Sequence, residues 1–423
     1  MAFDPITSSK SRPGFSKWQH FLAVLGPGMV VMLADTDAGS IITAAQSGAQ
    51  WGYRLLGAQF ILIPILYIVQ ELTVRLGLVT KKGHGELIKE TFGMPWAILS
   101  VATLIVACIG ALLTEFSGLS GVGSLFGVPS WLTMLFCASG LILIVVTGSY
   151  RSVERVAIFI GLFELVFLIV PWLAHPQPQE IWTGMLHPAL NDHNYLYLLI
   201  ANVGAVIMPW MIFYQQSALV DKNLDASDIV PARWDTAIGS VVTQLVMIGV
   251  LIVTAATIGK SNPNAPLNTV HQIADAITPY LGNFNGRIVF AMGLSGAALV
   301  SAIVVSLTAA WGVGEVFGFN HSLEHHPQEA PWFYTIFIAS VVFAAVIVAS
   351  DVNLVQISVA VQVMNALLLP LVLGFLYALS CRALPAPYRL HGSYKILVLL
   401  MIISLTCLAL YGSISAALAP PTP

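Results

Sequence analysis

The sequence predicts an all-α membrane protein with eleven transmembrane helices, and three observations support this fold class. Of 423 residues, 57% are apolar and only 9% are charged, whereas soluble proteins carry about 25% charged residues. The apolar residues form eleven runs of about 20 residues, long enough to cross a bilayer as helices. The first and sixth runs both contain helix-breaking residues, a pattern typical of two inverted five-helix repeats. One transmembrane domain is therefore expected over residues 21–418.

The first repeat is expected to span about residues 21–175. Its five apolar runs cover residues 21–50, 54–80, 95–126, 130–149 and 153–174. Gly127 and Pro129 mark a tight connection between the third and fourth runs. Gly148 and Arg151 mark the next connection, between the fourth and fifth runs.

The second repeat is expected to span about residues 194–381. Its five runs cover residues 194–220, 234–259, 286–314, 332–350 and 353–380. An eleventh helix over about 393–418 follows Pro385 and Pro387 and lies outside the repeats. Because each repeat contains an odd number of helices, the second copy is inverted relative to the first.

Lys and Arg predict the orientation, because the cytoplasmic loops of membrane proteins carry an excess of these residues. Residues 1–20 are polar and form an expected cytoplasmic N-terminal tail. With this tail inside, fourteen of the 17 Lys and Arg residues lie inside, and only Arg54, Lys260 and Arg287 lie outside. The C-terminus is then extracellular. We expect a multi-pass plasma-membrane protein that works as a monomer in lipid and has no nucleic-acid partner.

The catalytic motifs of enzymes do not occur in the predicted helices. There is no HExxH, GxSxG or Ser/His/Asp arrangement. The four cysteines lie in or beside apolar runs, with no CxxC and no zinc spacing. Neither an enzyme nor a bound cofactor is expected.

Carboxylates interrupt the first apolar run where it should be most apolar. Asp35 and Asp37 lie there, separated by Thr36 and followed by Gly39 and Ser40. An Asp at bilayer depth costs roughly 3 kcal/mol on insertion scales. A broken helix that carries a carboxylate at the midplane is typical of the binding site of a secondary transporter. The plainer interpretation, a solvated helix start, fits poorly because apolar sequence continues on both sides.

The sixth run contains a second break, at Gly204 and Pro209. Pro209 has no amide hydrogen, so the carbonyl one turn earlier, that of Ala205, is left free. A free carbonyl in a cavity is a good cation ligand. Met208 adds a thioether, a soft ligand for transition metals, although a lone Met in a membrane helix usually only packs.

Four motifs resemble those of the Nramp divalent-metal transporters. Residues 26–28 read GPG, residues 37–40 read DAGS and residues 46–53 read QSGAQWGY, where that family has GPG, DPGN and QAGAQYGY at the same spacing. Residues 204–209 read GAVIMP, similar to the family's GATVMPH. Gln362, eight residues before Pro370, resembles the Gln of the family's tenth helix. The resemblance implies a LeuT-like fold.

The resemblance also implies a set of metal ligands. Asp37 matches the metal-binding Asp of the family, and Ser40 stands at the position of the Asn ligand. The Ala205 carbonyl and the Met208 sulfur match the ligands of the sixth helix, and Gln362 would join them in the occluded state. Mg²⁺ or Mn²⁺ would be the transported substrate. Other residues are expected next to these ligands or along the transport pathway; they are Asp35, Thr36, Glu115, Trp210 and Gln215.

Several departures from the family pattern concern proton coupling. Trp210 and Gln215 replace two histidines, and Leu112 replaces an acidic residue one turn before Glu115. Trp and Gln do not titrate near neutral pH and cannot relay a proton. Ser40 is shorter than Asn, and the oxygen-rich surroundings suit Mg²⁺, which keeps several waters. The altered pattern resembles the Nramp-related magnesium transporters, which carry Mg²⁺ and Mn²⁺ without protons; a proton-coupled Mn²⁺/Fe²⁺ importer is the alternative.

Two further carboxylates and a third function complete the predictions. Glu71 precedes Arg75 by one helical turn, which favours an ion pair. Glu164 lies within the fifth run and is expected to pair inside the bundle, with a position on the transport pathway as the alternative. A cation-coupled amino-acid symporter of the same fold is disfavoured, because Asp35 and Asp37 would repel the carboxylate of its substrate.

Overall fold

The computed structural model describes residues 24, 26–261, 267–276, 282–350 and 354–418, and the expected tail at 1–20 lies outside them. Regular structure in these residues is entirely helical. The helices of the first repeat are α1 (Pro27–Asp35), α2 (Ala38–Trp51), α3 (Leu56–Thr80), α4 (His84–Phe92), α5 (Met94–Leu125), α6 (Ser130–Thr147), α7 (Tyr150–Gly161) and α8 (Val170–Leu173). Short 3-10 stretches join α2 to α3 at Gly52–Leu55 and α7 to α8 at Leu162–Leu168.

The remaining helices follow after a short connection. They are α9 (Pro178–Met185), α10 (His193–Val206), α11 (Pro209–Asp221), α12 (Ile229–Ala256), α13 (Ile258–Ser261), α14 (Val270–Asp275), α15 (Asn283–Phe317), α16 (Pro331–Val348), α17 (Leu354–Arg382) and α18 (Gly392–Leu418). Two more 3-10 turns, Ala226–Asp228 and Ala386–Tyr388, precede α12 and α18.

Ten helical stretches of the described residues are long and apolar enough to cross a membrane. One of them, Ala38–Thr80, is 43 residues long because it joins α2 and α3 through the turn at Gly52–Leu55. Each of the eleven apolar runs predicted from the sequence is therefore helical, and the predicted fold class is confirmed. Large apolar side chains such as Phe136, Trp172 and Leu400 remain exposed, as expected for a lipid-facing surface.

The predicted first and sixth helices are each broken, and they run in opposite directions. Where α2 packs beside α10, Ser40 contacts Ala205 and Trp51 packs edge-on against Tyr195 with 5.3 Å between ring centroids. We call the end of the bundle with Trp51 and Tyr195 the α10 end. The opposite end, where Gly28 bonds Asp235 of α12, is the α1 end. This antiparallel arrangement agrees with inverted repeats.

The fifth helix contains an irregularity that the sequence pattern did not predict. Between α7 and α8 the backbone tightens to 3-10 geometry over Leu162–Leu168. Pro171 accounts for it, because its ring nitrogen cannot donate to the carbonyl of Phe167. That carbonyl lies close to Gly249 on α12, where an added Cβ would come within 2.7 Å of it.

Candidate functional site

The two broken helices are interrupted in the same way. Two residues, Thr36–Asp37, separate α1 from α2, and two residues, Ile207–Met208, separate α10 from α11. Asp37 and Met208 both have extended backbone and occupy the N-cap positions of the helices that follow. All four linking residues are buried. The predicted breaks therefore lie inside the protein and not in solvent.

Asp37 caps α2 and keeps one oxygen free. The Ser40 backbone amide donates to Asp37 Oδ1 over 2.5 Å, a normal side-chain cap for a helix N-terminus. Asp37 Oδ2 has no hydrogen-bond partner among the described residues, and the residue is fully buried. A buried carboxylate oxygen without a partner is costly unless a ligand satisfies it. The N-terminus of α2 offsets only part of its charge.

The side chain of Ser40 joins the two broken helices directly. Its hydroxyl donates to the carbonyl oxygen of Ala205 over 2.8 Å. Pro209 cannot donate to this carbonyl within the helix, as the sequence predicted, and the serine takes the place of that donor. Met208 lies three residues further on, at the start of α11, with its side chain fully buried. Predicted ligands from both repeats therefore meet at this point.

Gln362 on α17 reaches the same place because two glycines allow close approach. A Cβ added to Gly39 would lie 2.4 Å from Gln362 Nε2, and a Cβ added to Gly204 would lie 1.8 Å from the Gln362 carbonyl. A larger side chain at position 204 would displace the backbone of α17, and one at position 39 would displace the side chain of Gln362. Asn365 donates to Gln362 Oε1 over 2.9 Å, while Gln362 Nε2 has no partner among the described residues.

The residues predicted to lie next to the ligands or along the pathway divide into two groups. Glu115 accepts a hydrogen bond from the Ala38 amide over 3.1 Å, so it lies against the first turn of α2. Asp35 is buried with Oδ1 unpartnered, and the Thr36 hydroxyl bonds that of Thr243 on α12. These three residues border the break.

Trp210 and Gln215 form the second group. Gln215 donates to Thr236 Oγ1 over 2.9 Å, one residue from Asp235 and therefore toward the α1 end. Trp210 is fully buried, and its Nε1 has no partner among the described residues. Among the described residues, neither side chain has a hydrogen bond to Asp37 or Glu115. Neither therefore belongs to a hydrogen-bonded path from the break to solvent.

The expectation that Glu164 pairs within the bundle is wrong. Its carboxylate is fully buried in the 3-10 stretch of the fifth helix, and neither oxygen has a hydrogen-bond partner in the described residues. The residues one turn away, such as Gly161 and Phe167, are apolar, so a partner could come only from another helix. The sequence alone does not show which side chains of other helices face Glu164.

Two carboxylates near the α1 end are, by contrast, paired with cations. Glu71 accepts from Arg75 and also from Arg233 over 2.6 Å, so the predicted pair is part of a three-residue cluster. Glu154 pairs with Lys222 over 2.9 Å. Sequence reasoning missed Asp235, whose Oδ2 accepts from the amides of Gly26 and Gly28 at the start of α1. A carboxylate within an apolar run was the signal for it.

The break region is closed off from both ends of the bundle. Asp37, Ser40, Met208 and Gln362 each have no exposed surface. A cleft of about 740 Å³ opens near the α1 end, where Ser217, Asp221 and Glu315 contribute to its lining. A cleft of about 540 Å³ lies at the α10 end, beside Trp51 and Asp192. The site is therefore occluded.

The donor groups at the break are of the kinds that bind a metal cation. It offers a carboxylate oxygen, a main-chain carbonyl, a hydroxyl, a carboxamide and a nearby thioether, in a place with buried negative charge. Oxygen donors suit Mg²⁺ and Mn²⁺, and the thioether favours the softer ion. Among the described residues, no group of three His, Cys, Asp or Glu side chains has metal-binding geometry. Any ion here therefore depends on neutral donors beside Asp37.

Comparison with known proteins identifies the relatives of this chain. The family model described as "Natural resistance-associated macrophage protein-like" matches residues 28–415. The divalent metal cation transporter MntH of Yersinia pestis is 30% identical over 295 residues, covering 68% of this chain and 71% of that protein. The metal transporter Nramp6 of Arabidopsis thaliana is 27% identical over 51% of this chain, and the match covers 42% of its own length.

Solved structures support the fold independently. A crystal structure of the Eremococcus coleocola manganese transporter matches 97% of this chain and 89% of its own, with a TM-score of 0.76 and 21% identity. MhsT, solved in complex with L-phenylalanine, matches 95% of this chain with a TM-score of 0.62 and 16% identity. At these identities the likeness concerns the fold alone.

Proposed function

The chain belongs to the Nramp family of metal transporters, and from that premise we propose that it carries Mg²⁺ and Mn²⁺ across the plasma membrane by alternating access, without protons. The N-terminus would be cytoplasmic, the C-terminus extracellular and the working unit a monomer. One observation carries the proposal. The two broken helices meet through Ser40 and Ala205 beside a buried Asp37 oxygen that has no partner among the described residues. The relative from Yersinia pestis is named as a divalent metal cation transporter.

The proposed ligands are Asp37, Ser40, Ala205, Met208 and Gln362. Asp37 supplies the charge through Oδ2, and the carbonyl of Ala205 supplies a neutral oxygen. Ser40 already contacts that carbonyl, so an entering ion would take the place of its hydrogen bond. Gln362 Nε2 has no partner among the described residues; to present oxygen to the ion instead, the amide would rotate and give up the bond from Asn365 to Oε1. Met208 lends selectivity for Mn²⁺, because thioethers prefer transition metals.

Transport without protons is supported by two side chains of α11, Trp210 and Gln215. Trp210 and Gln215 do not titrate near neutral pH, and Gln215 is engaged with Thr236. Uncoupled uptake is energetically possible. Moving two charges inward across 100 mV yields about 4.6 kcal/mol, which corresponds to accumulation on the order of a thousandfold.

A proton-coupled Mn²⁺ importer is the second candidate, and one observation favours it. Glu115 is a titratable group at the first turn of α2, where it accepts from the amide of Ala38, the residue after Asp37. The two candidates predict different pH changes during uptake.

Flux in proteoliposomes tests the proposal. We would load vesicles with a pH dye and measure uptake of Mg²⁺, Mn²⁺, Ca²⁺ and radiolabelled amino acids under an inside-negative potential. Uptake of Mg²⁺ and Mn²⁺ with constant internal pH is expected. Acidification during uptake would establish the proton-coupled candidate, and uptake of amino acids alone would reject metal transport.

A further inference from the structure

Glu164 is a buried charge that the transport site described above does not use. Its side chain is fully buried, and both carboxylate oxygens lack hydrogen-bond partners among the described residues. An ionised carboxylate in this condition costs several kcal/mol. Glu71 and Glu154 avoid this cost by pairing with Arg or Lys. An ionised Glu164 would need a counter-charge, and the ion pairs of the described residues do not supply one.

The fold brings Glu164 close to Asp35. Leu33 of α1 packs directly on Gly161, where an added Cβ would lie 3.0 Å from Leu33 Cδ1. Asp35 follows Leu33 by two residues and Glu164 follows Gly161 by three, so each lies within about one helical turn of this contact. Gly26 lies against Glu154 as Leu33 lies against Gly161, so α1 and α7 run parallel, and this register places Asp35 level with Glu164. Asp35 Oδ1 is also buried and has no partner among the described residues.

The surroundings of these two carboxylates offer further oxygen. Thr36 lies next to Asp35, and its hydroxyl bonds that of Thr243 on α12. The 3-10 stretch that carries Glu164 packs against both α12 and α15, and its irregular backbone re-aims the side chain relative to a regular helix. Two carboxylates with hydroxyl oxygens form a hard donor set of the kind that Mg²⁺ and Mn²⁺ prefer.

Counting charge leads to the same conclusion. Four carboxylates are buried around the break in the first helix; they are Asp35, Asp37, Glu115 and Glu164. No ion pair found in the described residues includes any of the four. With all four ionised, one divalent ion at Asp37 would leave two negative charges unbalanced, whereas two divalent ions would balance all four.

We propose that Asp35 and Glu164 hold a second divalent cation, separate from the ion bound by Asp37, at the junction of α1 with the 3-10 stretch of the fifth helix. The proposal rests on the function proposed above in taking Mg²⁺ or Mn²⁺ as the ion. The two sites share no ligand, so each can be removed alone.

Mn²⁺ binding to the purified full-length protein tests this proposal. The number of bound ions per chain would be counted by electron paramagnetic resonance at saturating Mn²⁺. Two ions are expected for the wild type and one each for Glu164→Gln and Asp37→Asn. Glu180→Gln, which removes an exposed carboxylate paired with Lys260, is the matched control and should bind two. Glu164→Asp keeps the charge and should retain the second ion.

The outcomes separate the two proposals. Two ions bound by Glu164→Gln, or a single ion in the wild type that only Asp37→Asn removes, would overturn the second site and leave the first intact. No Mn²⁺ binding by the folded wild type would overturn both. Elution volume and thermal unfolding of each variant would verify folding, and failure of Glu164→Gln to fold would move the comparison to Asp35→Asn, with the same expected count of one.

Discussion

Carboxylates at the α1 end and carboxylates at the centre of the bundle have opposite surroundings. At the α1 end, Glu71 is held by two guanidinium groups and Glu154 by Lys222. At the centre, Asp37 and Glu164 are fully buried and keep oxygens without partners among the described residues. Cationic partners identify charges that stabilise the fold. We interpret the missing partners of Asp37 and Glu164 as places for a mobile ion.

The largest expected effect is on transport. Asp37→Ala removes the only charged ligand proposed at the break, so uptake of both Mg²⁺ and Mn²⁺ should fall to the level of protein-free vesicles, a loss of at least about 100-fold. Isotope or dye flux in proteoliposomes measures it. Glu180→Ala, at the exposed pair with Lys260, should transport normally. Unchanged flux in Asp37→Ala would remove this residue from the site.

Stability should respond most strongly at the α1 end. Glu71→Gln leaves Arg75 and Arg233 facing each other without their shared carboxylate, and breaking a buried ion pair costs about 3 kcal/mol. Denaturant unfolding of the purified protein measures this loss. Glu90→Gln, at the exposed pair with Lys82, should cost much less, because exposed ion pairs contribute little to stability.

Glu164 should respond with the opposite sign. In metal-free protein, Glu164→Gln removes an unpartnered charge and should raise the free energy of unfolding by about 1 kcal/mol. A loss of stability comparable with that of Glu71→Gln would mean that Glu164 has a permanent partner. The comparison between centre and α1 end would then fail.

A single histidine makes the α1 end sensitive to pH. His84 is buried, with Nδ1 3.0 Å from Gln216 Oε1 and Nε2 unpartnered, and burial lowers the pKa of its imidazole from 6.5 to about 4. The unfolded chain therefore binds the proton more readily, and stability falls as pH drops from about 6.5 toward 4. At pH 5 this loss is about 2 kcal/mol.

Urea unfolding at pH 8 and pH 5 checks this prediction. His84→Gln cannot take up the proton, so its stability should change less between the two pH values, by the same amount of about 2 kcal/mol. An identical pH dependence in the variant and the wild type would show that His84 does not titrate in this range.

The smallest expected effect concerns selectivity. Met208→Ala should reduce Mn²⁺ uptake about tenfold, equivalent to about 1.4 kcal/mol, and leave Mg²⁺ uptake nearly unchanged, because only the softer ion gains from a thioether. Met211→Ala, three residues further along α11 and equally buried, controls for lost packing. Equal losses for the two ions in Met208→Ala would argue against a ligand role.

The sequence was sufficient to predict the helices and the two breaks. Apolar runs of bilayer length specify membrane helices directly. Pro209 marks a break because it lacks an amide hydrogen, and Asp37 marks one because its carboxylate interrupts an apolar run. Contacts between distant segments have no such local signature. The bonds from Asp235 to Gly26 and Gly28, and the joining of Arg233 to Glu71, were therefore not predicted. The 3-10 stretch was missed because Pro171 was read only as part of an apolar run.

Diffraction from crystals grown with Mn²⁺ tests the central claim most directly, since the anomalous signal locates the ion without assuming its ligands. We predict a peak in the break between the two broken helices, bounded by Asp37 Oδ2, the Ala205 carbonyl and Met208. Density there should vanish in Asp37→Asn crystals. A structure with Mn²⁺ bound elsewhere and Asp37 Oδ2 still unpartnered would contradict the claim that this carboxylate waits for the transported ion.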